Sequence, residues 1–435
     1  MAGRSPEGAA GRSRPGRPVP GRLLLAICVL LCLVLGACGG TEITPPRADG
    51  DTATRQDAAA SDLLGQLAAA VRQADVPAAE RLASSGERDR AAAVVRNAAA
   101  LGLTDVRFRY VSRTGSGTDD GAGASATTQS QEDDRTWDAT VAVSWRLPEY
   151  DDAPTTLSAR FTFVAQGGGA RLVDTDAPGE RGALWLSGPA AVERTSDTLV
   201  LAAAGSAAGT PAVLSERARQ AVRDVRKVLP GWSGPLVVEA PDSEQELERL
   251  IGARPGSYAA IAAVTTTVDG SKEPGTPVHV YLNPTVFGGL GPRGSQVVLS
   301  HEATHVATRA SFADLPTWLL EGFADYVALA HADIPFTTAA GQVLSRVRKD
   351  GPPTALPDAD DLAPSASGLG ATYEEAWTAC RFLAMRYGER TLVDLYDAVT
   401  DGTSVAAAFR SVVGTSQQAF ERAWSADLAA QAGDR

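Results

Sequence analysis

Cysteine and histidine are scarce in these 435 residues, with four copies of each. Three of the cysteines fall at Cys28, Cys32 and Cys38, and only Cys380 lies beyond them, so a disulfide framework is excluded. Aromatic residues make up 6%. The core must therefore lean on abundant alanine and a modest number of Leu, Val, Trp and Phe side chains. Positive charge is in deficit, with a net charge of −12. Such a chain is a poor ligand for nucleic acid or for anionic head groups. Long apolar runs are missing too. Leu23 to Leu35 is apolar throughout, but a membrane span needs roughly 20 residues. What remains, 44% hydrophobic and 21% charged residues, is the composition of a folded protein.

The short apolar run sits in a recognisable setting. Arg4, Arg12, Arg14, Arg17 and Arg22 precede it, and Leu35-Gly36-Ala37-Cys38 closes it. Small residues before a cysteine resemble the lipobox of a bacterial lipoprotein. That resemblance implies a signal peptide over 1–37, cleavage before Cys38, and diacylation of its thiol. The other reading is an N-terminal transmembrane helix. Removing 1–37 takes away five Arg and one Glu, leaving a charge of −16. Attachment would then come from the lipid anchor and not from a basic patch.

Residues 38–57 read as the lipidated cysteine and a flexible tether. From Ser61 to Leu101 the apolar spacing predicts helix, as at Leu63, Leu64, Leu67 and Val71. Strand patterns follow at Val106–Val111, Trp137–Leu147 and Leu157–Val164, with a Gly-, Ser- and Asp-rich loop over 115–134. This predicts an α+β domain over 58–204, helices backing a curved antiparallel sheet, resembling the nuclear-transport-factor-2-like fold. Leu184–Leu186 and Thr198–Leu201 read as short strands. A second domain is expected over 205–435. Helices are expected at Leu214–Leu229 and Ser243–Ile251, and strands at Leu236–Glu239, Ala259–Thr266 and Val278–Leu282. From Ser295 onward the pattern is almost wholly helical, which makes this half α+β with its sheet first.

Two of the four histidines stand in one pentapeptide, His301-Glu302-Ala303-Thr304-His305. The segment reads as a helix with Ser295 as its N-cap. Positions i and i+4 share a helix face about 5–6 Å apart. Two imidazoles there reach one tetrahedral zinc. Glu302 lies about 100° round the helix, beside the metal, where it can hold a water. A catalytic zinc needs a third protein ligand. Glu321 supplies a candidate, a lone carboxylate in Trp318-Leu319-Leu320-Glu321-Gly322-Phe323, costly to bury unless paired or metal-bound. Gly322 beside it permits close helix approach. Asp325, at i+4 from Glu321, is placed to accept the second N–H of a ligating histidine.

The stretch resembles the gluzincin metallopeptidases, in particular peptidase-MA-like domains, whose pattern is HExxH on one helix and E-G-x-A-[DE]-Y on the next. The resemblance implies a single Zn2+ on His301, His305 and Glu321, Glu302 as general base, and Asp325 supporting a histidine. It covers about 205–435, with specific motifs over about 295–390. The gap from the second histidine to the glutamate, Val306 to Leu320, is shorter than in the aminopeptidase branch, so no exopeptidase specificity follows. Tyr373-Glu374-Glu375-Ala376-Trp377 is similar to that family's Tyr-Glu-x-Gly-Ala stretch, which implies Tyr373 as a hydrogen-bond donor to the oxyanion. Ala376 stands where the family has glycine, and a helix-start tyrosine packing on the core is the other reading.

The implied activity is hydrolysis of peptide or protein substrates outside the cytoplasm, by an enzyme anchored through Cys38 to the outer face of the bacterial cell membrane. Two alternatives stay open: a non-catalytic, zinc-stabilised binding lipoprotein of the cell envelope, and an enzyme with a non-protein substrate. Gly289 to Gly294 formally matches G-x-G-x-x-G, but Pro292 removes a backbone donor and the helix it opens carries the HExxH, so a dinucleotide site is rejected. His279 reads as a solvent-facing strand residue, flanking a substrate groove if its strand is a sheet edge. His331 reads as a charge partner at a helix end, Cys380 as a buried apolar residue, and 351–370 as a surface connector or a cap over the cleft.

Overall fold

The computed structural model describes residues 49–114, 136–362 and 367–433, all within one compact unit, Asp49–Arg435. Cys38 and the 115–134 loop lie outside those residues. Three helices come first: α1 (Asp49–Gln73), α2 (Val76–Leu82) and α3 (Arg88–Leu101). α1 begins inside the stretch expected to be tether. The alanines that follow, at 58–60, favour helix. Tertiary contacts also hold it, since Asp57 Oδ1 accepts from the Tyr110 hydroxyl at 2.6 Å and from Arg113 at 3.0 Å.

A four-stranded antiparallel sheet follows, in the order β1 (Thr104–Thr114), β2 (Thr136–Arg146), β3 (Thr155–Gln166) and β4 (Gly169–Ala177). Alternate residues point inward, as the pleat requires. Leu157, Ala159, Phe161 and Phe163 of β3 lie beside Trp137, Ala139, Val141 and Val143 of β2, and pack under Leu63, Leu64 and Leu67 of α1. β4 has no counterpart among the expected strands. Gly167 and Gly168, at φ 59° and 80°, turn the chain into it, the all-positive geometry that suits a two-residue hairpin. Leu184–Ser187 is a single helical turn and not a strand, with Leu184, Trp185 and Leu186 all buried. A short apolar run looks the same in either state.

The second sheet runs in the order β5 (Ala190–Arg194), β6 (Thr198–Ala203), β7 (Leu236–Ala240), β9 (Val278–Leu282), β8 (Ala263–Thr267). It therefore draws on strands ahead of residue 205. β6, β7 and β9 are parallel, and the two outer strands are antiparallel to their neighbours. Both faces are covered. Val200, Leu236, Val238, Val280 and Leu282 face the helices that follow, whereas Leu199, Leu201, Val237 and Tyr281 face the first half of the chain. Double coverage is why β6 and the start of β7 read as continuous apolar runs.

The helices of this half are α4 (Pro211–Val228), capped by Thr210, and α5 (Glu244–Ile251), capped by Ser243. After β9 come α6 (Pro292–Ala307), α7 (Thr317–Leu329), α8 (Gly341–Asp350), α9 (Leu369–Tyr387), α10 (Glu389–Thr400) and α11 (Gln417–Gly433). The architecture is mixed α+β, with a mainly helical C-terminal part.

Candidate metal centre

α6 starts earlier than its sequence suggests. Gly291 is the cap and Pro292 the first helical residue, where a fixed φ and a missing N–H cost nothing. Ser295 is not the N-cap; it is buried one turn in, its hydroxyl donating to Gly291 O at 3.1 Å. Further along, Leu299 and Ala303 enter the core, and the Ser300 hydroxyl donates to Asp224 Oδ2 of α4 at 3.2 Å. These contacts fix the rotation of α6 and turn His301 and His305 toward α7.

α7 is placed by its own apolar face and by a glycine. Trp318, Leu319, Phe323 and Val327 are buried. A Cβ at Gly322 would lie 2.4 Å from the carbonyl oxygen of Ala376 and 3.0 Å from Sγ of the buried Cys380. Only glycine lets α7 sit that close to α9. The close approach sets where its neighbour Glu321 emerges.

The three candidate ligands converge. His301 Nε2 is 3.0 Å from His305 Nε2 and 3.2 Å from Glu321 Oε2, and His305 Nε2 is 3.6 Å from the same oxygen. Zinc bond lengths of about 2.0–2.1 Å imply ligand–ligand edges of about 3.3 Å around a tetrahedron. The observed edges straddle that value. Among the described residues, this is the set of His, Cys, Asp and Glu side chains whose ligand atoms all lie within 4.8 Å of one another. The tautomer fits as well. His301 Nδ1 is 2.8 Å from Asp325 Oδ1, and a carboxylate can only accept, so Nδ1 carries a proton and Nε2 offers its lone pair when the ring is neutral.

Electrostatics point the same way. Burial opposes charge on His301, but Asp325 and Glu321 outweigh it and push the imidazole well above its ordinary pKa. Burial alone would raise the Glu321 carboxyl; His305 and His301 overcome that and hold it well below the usual carboxylate range. The pocket thus selects positive charge. A proton can serve only one pair of these three atoms at a time, whereas a divalent ion serves all three. The donor set, two imidazoles and a carboxylate, suits zinc.

Glu302 is buried beside this group, and its Oε2 accepts the Thr265 hydroxyl at 2.6 Å. Thr265 carries no signal in the sequence, because sheet pairing and not chain spacing brings it there. Tyr373 is partly buried on α9, which begins at Leu369 and not at the tyrosine. Burial, then the carboxylates of Glu321, Asp325 and Glu302, push its phenol well above its ordinary pKa. It stays protonated, hence a donor, near all three acids.

Other expectations resolve differently. β9 is an inner strand, between β7 and β8, so it is no edge. His279 is 4% exposed and not solvent-facing, its Nδ1 2.7 Å from Glu239 Oε1 and its Nε2 3.1 Å from Asp151 Oδ1. Its strand is covered on both faces, which alternation alone could not reveal. Gly289 ends a short helix, Pro284–Gly289, and Gly291 caps α6, so the glycine-rich run is a turn between two helices. His331 is exposed just past the end of α7. No protein-family model and no curated protein matches this chain.

Proposed function

We propose that this protein is a zinc-dependent peptidase of the gluzincin type, anchored by a lipid at Cys38 to the outer face of a bacterial cell membrane. One observation carries the reading: His301, His305 and Glu321 converge at edges suited to a tetrahedral ion, with the carboxylate of Glu302 buried alongside. The motif order, HExxH on α6 and Glu-Gly-x-Ala-Asp-Tyr on α7, supports the gluzincin fold for this half. Helices α1–α3 against a four-stranded antiparallel sheet support a nuclear-transport-factor-2-like fold for the first half.

In this reading His301, His305 and Glu321 hold the metal through Nε2, Nε2 and Oε2. Zinc bound there supplies Lewis acidity, bringing the pKa of a water toward about 7 and polarising the scissile carbonyl. Asp325 fixes the His301 ring by accepting its Nδ1–H. Glu302 takes the proton of the attacking water and passes it to the leaving amine. The Tyr373 hydroxyl, kept protonated by its acidic surroundings, donates to the oxyanion that develops in the transition state.

The test is a peptide-library digest by residues 39–435, which lack Cys38 and its lipid, with and without a chelator, beside a Glu302→Ala variant. Chelator-sensitive cleavage is expected, with Glu302→Ala keeping near-normal zinc and losing several orders of magnitude in rate. Zinc binding without cleavage of any peptide would leave a binding protein or an enzyme with another substrate.

A further inference from the structure

Glu302 has two carboxylate oxygens, and only one of them can face a water at the metal. Thr265 stands on β8, the outer strand of the second sheet, and pairs with Val280 of β9. Paired residues share a sheet face, so Thr265 points with Val280 toward the helices. Its hydroxyl lies 2.6 Å from Glu302 Oε2 and 3.1 Å from the Glu302 carbonyl oxygen. A hydroxyl has one proton to give. The shorter contact has the length of a charge-assisted O–H···O⁻ bond and takes that proton. Thr265 is β-branched, so its χ1 is stiff, and its backbone is tied into the ladder. Glu302, by contrast, is a long side chain with several torsions to fix.

We propose that Thr265 is a positioning residue for the base: by engaging Oε2 it holds the Glu302 carboxylate in one orientation and leaves Oε1 as the oxygen that receives the proton. This rests on the peptidase reading above for its catalytic meaning, and on the 2.6 Å bond for its geometry. The edge strand and the active helix are thereby joined at the reacting group itself.

Thr265→Val removes the hydroxyl and keeps the shape, while Thr265→Ser restores the donor. Two measurements on the zinc-loaded protein test the role. On a cleaved peptide, Thr265→Val is expected to lower kcat by about 10–100-fold, the usual effect of losing an outer partner at a metal site, with KM within about twofold. Thr265→Ser should recover most of the rate. Independently of activity, the carboxyl carbon-13 resonance of Glu302, assigned through Glu302→Gln, is read at neutral pH. It should move in Thr265→Val and return in Thr265→Ser. An unmoved resonance in Thr265→Val, or an undiminished kcat in that variant, overturns the proposal. Were no peptide cleaved at all, the peptidase reading would fall, and the resonance would still decide whether Thr265 orients Glu302.

Discussion

At the scale of single residues, the convergence of the candidate ligands was partly legible because a helix repeats. His301 and His305 share a face at four-residue spacing, and the same arithmetic set Asp325 beneath Glu321. The 2.8 Å contact from His301 Nδ1 to Asp325 Oδ1 is the hydrogen bond that this spacing anticipates. Losing that acceptor frees the ring to rotate and to carry its proton on the wrong nitrogen. Asp325→Ala is therefore expected to weaken zinc binding by about 10–100-fold, read by competition with a chromophoric chelator. Affinity equal to the parent would mean that Asp325 does not orient His301. Thr265 was illegible for the opposite reason. It lies 37 residues before Glu302, in a run of threonines, and reaches the carboxylate only through strand register.

At the scale of elements, helix types and order follow from apolar spacing, while boundaries turn on local chemistry. Pro292 opens α6 and displaces the cap from Ser295 to Gly291. Leu184–Ser187 shows the limit of an apolar run, since burial without alternation fits a helical turn as well as a strand. Gly322 signals a close helix approach in the sequence but not its partner, which the structure shows to be α9. Gly322 meets the Ala376 carbonyl oxygen where a Cβ would be 2.4 Å away. Alanine there gains about 1 kcal/mol of helix propensity, but overpacking against backbone costs about 1–3 kcal/mol, and a carbonyl cannot rotate aside as a side chain can. Gly322→Ala is expected to lose about 1 kcal/mol or more in urea unfolding, and to weaken zinc binding because α7 carries Glu321. A stabilised variant with unchanged zinc affinity would show that the close approach is not needed.

At the scale of the whole molecule, the mixed sheet is the middle layer, and a buried ionic group joins it to the first half of the chain. His279 of β9 sits between Glu239 of β7 and Asp151 from the β2–β3 connection. Tyr281 packs nearby, its phenol pushed up by burial and Glu239, and Arg181 is a neighbouring charge. Burial would lower the His279 pKa, but Asp151 and Glu239 outweigh it and raise it to about 10. The sign follows. Below the unfolded value of about 6.5 the stabilisation is complete. It declines as pH rises from there and is lost above about 10, because the unfolded chain has already released its proton. Urea unfolding at pH 6.5, 8.5 and 10 should therefore show stability falling with pH, and His279→Gln should flatten that slope. A slope as steep in the variant would assign the pH dependence to other groups. None of this was visible in the sequence, where His279 alternates with apolar neighbours as a surface residue would.

The most direct test of the metal centre is anomalous diffraction at the zinc edge from crystals grown with zinc. The expected result is one strong peak, about 2.0–2.1 Å from His301 Nε2, His305 Nε2 and Glu321 Oε2. A peak bound elsewhere, or none in this pocket with Glu321 turned away from the two imidazoles, would contradict it.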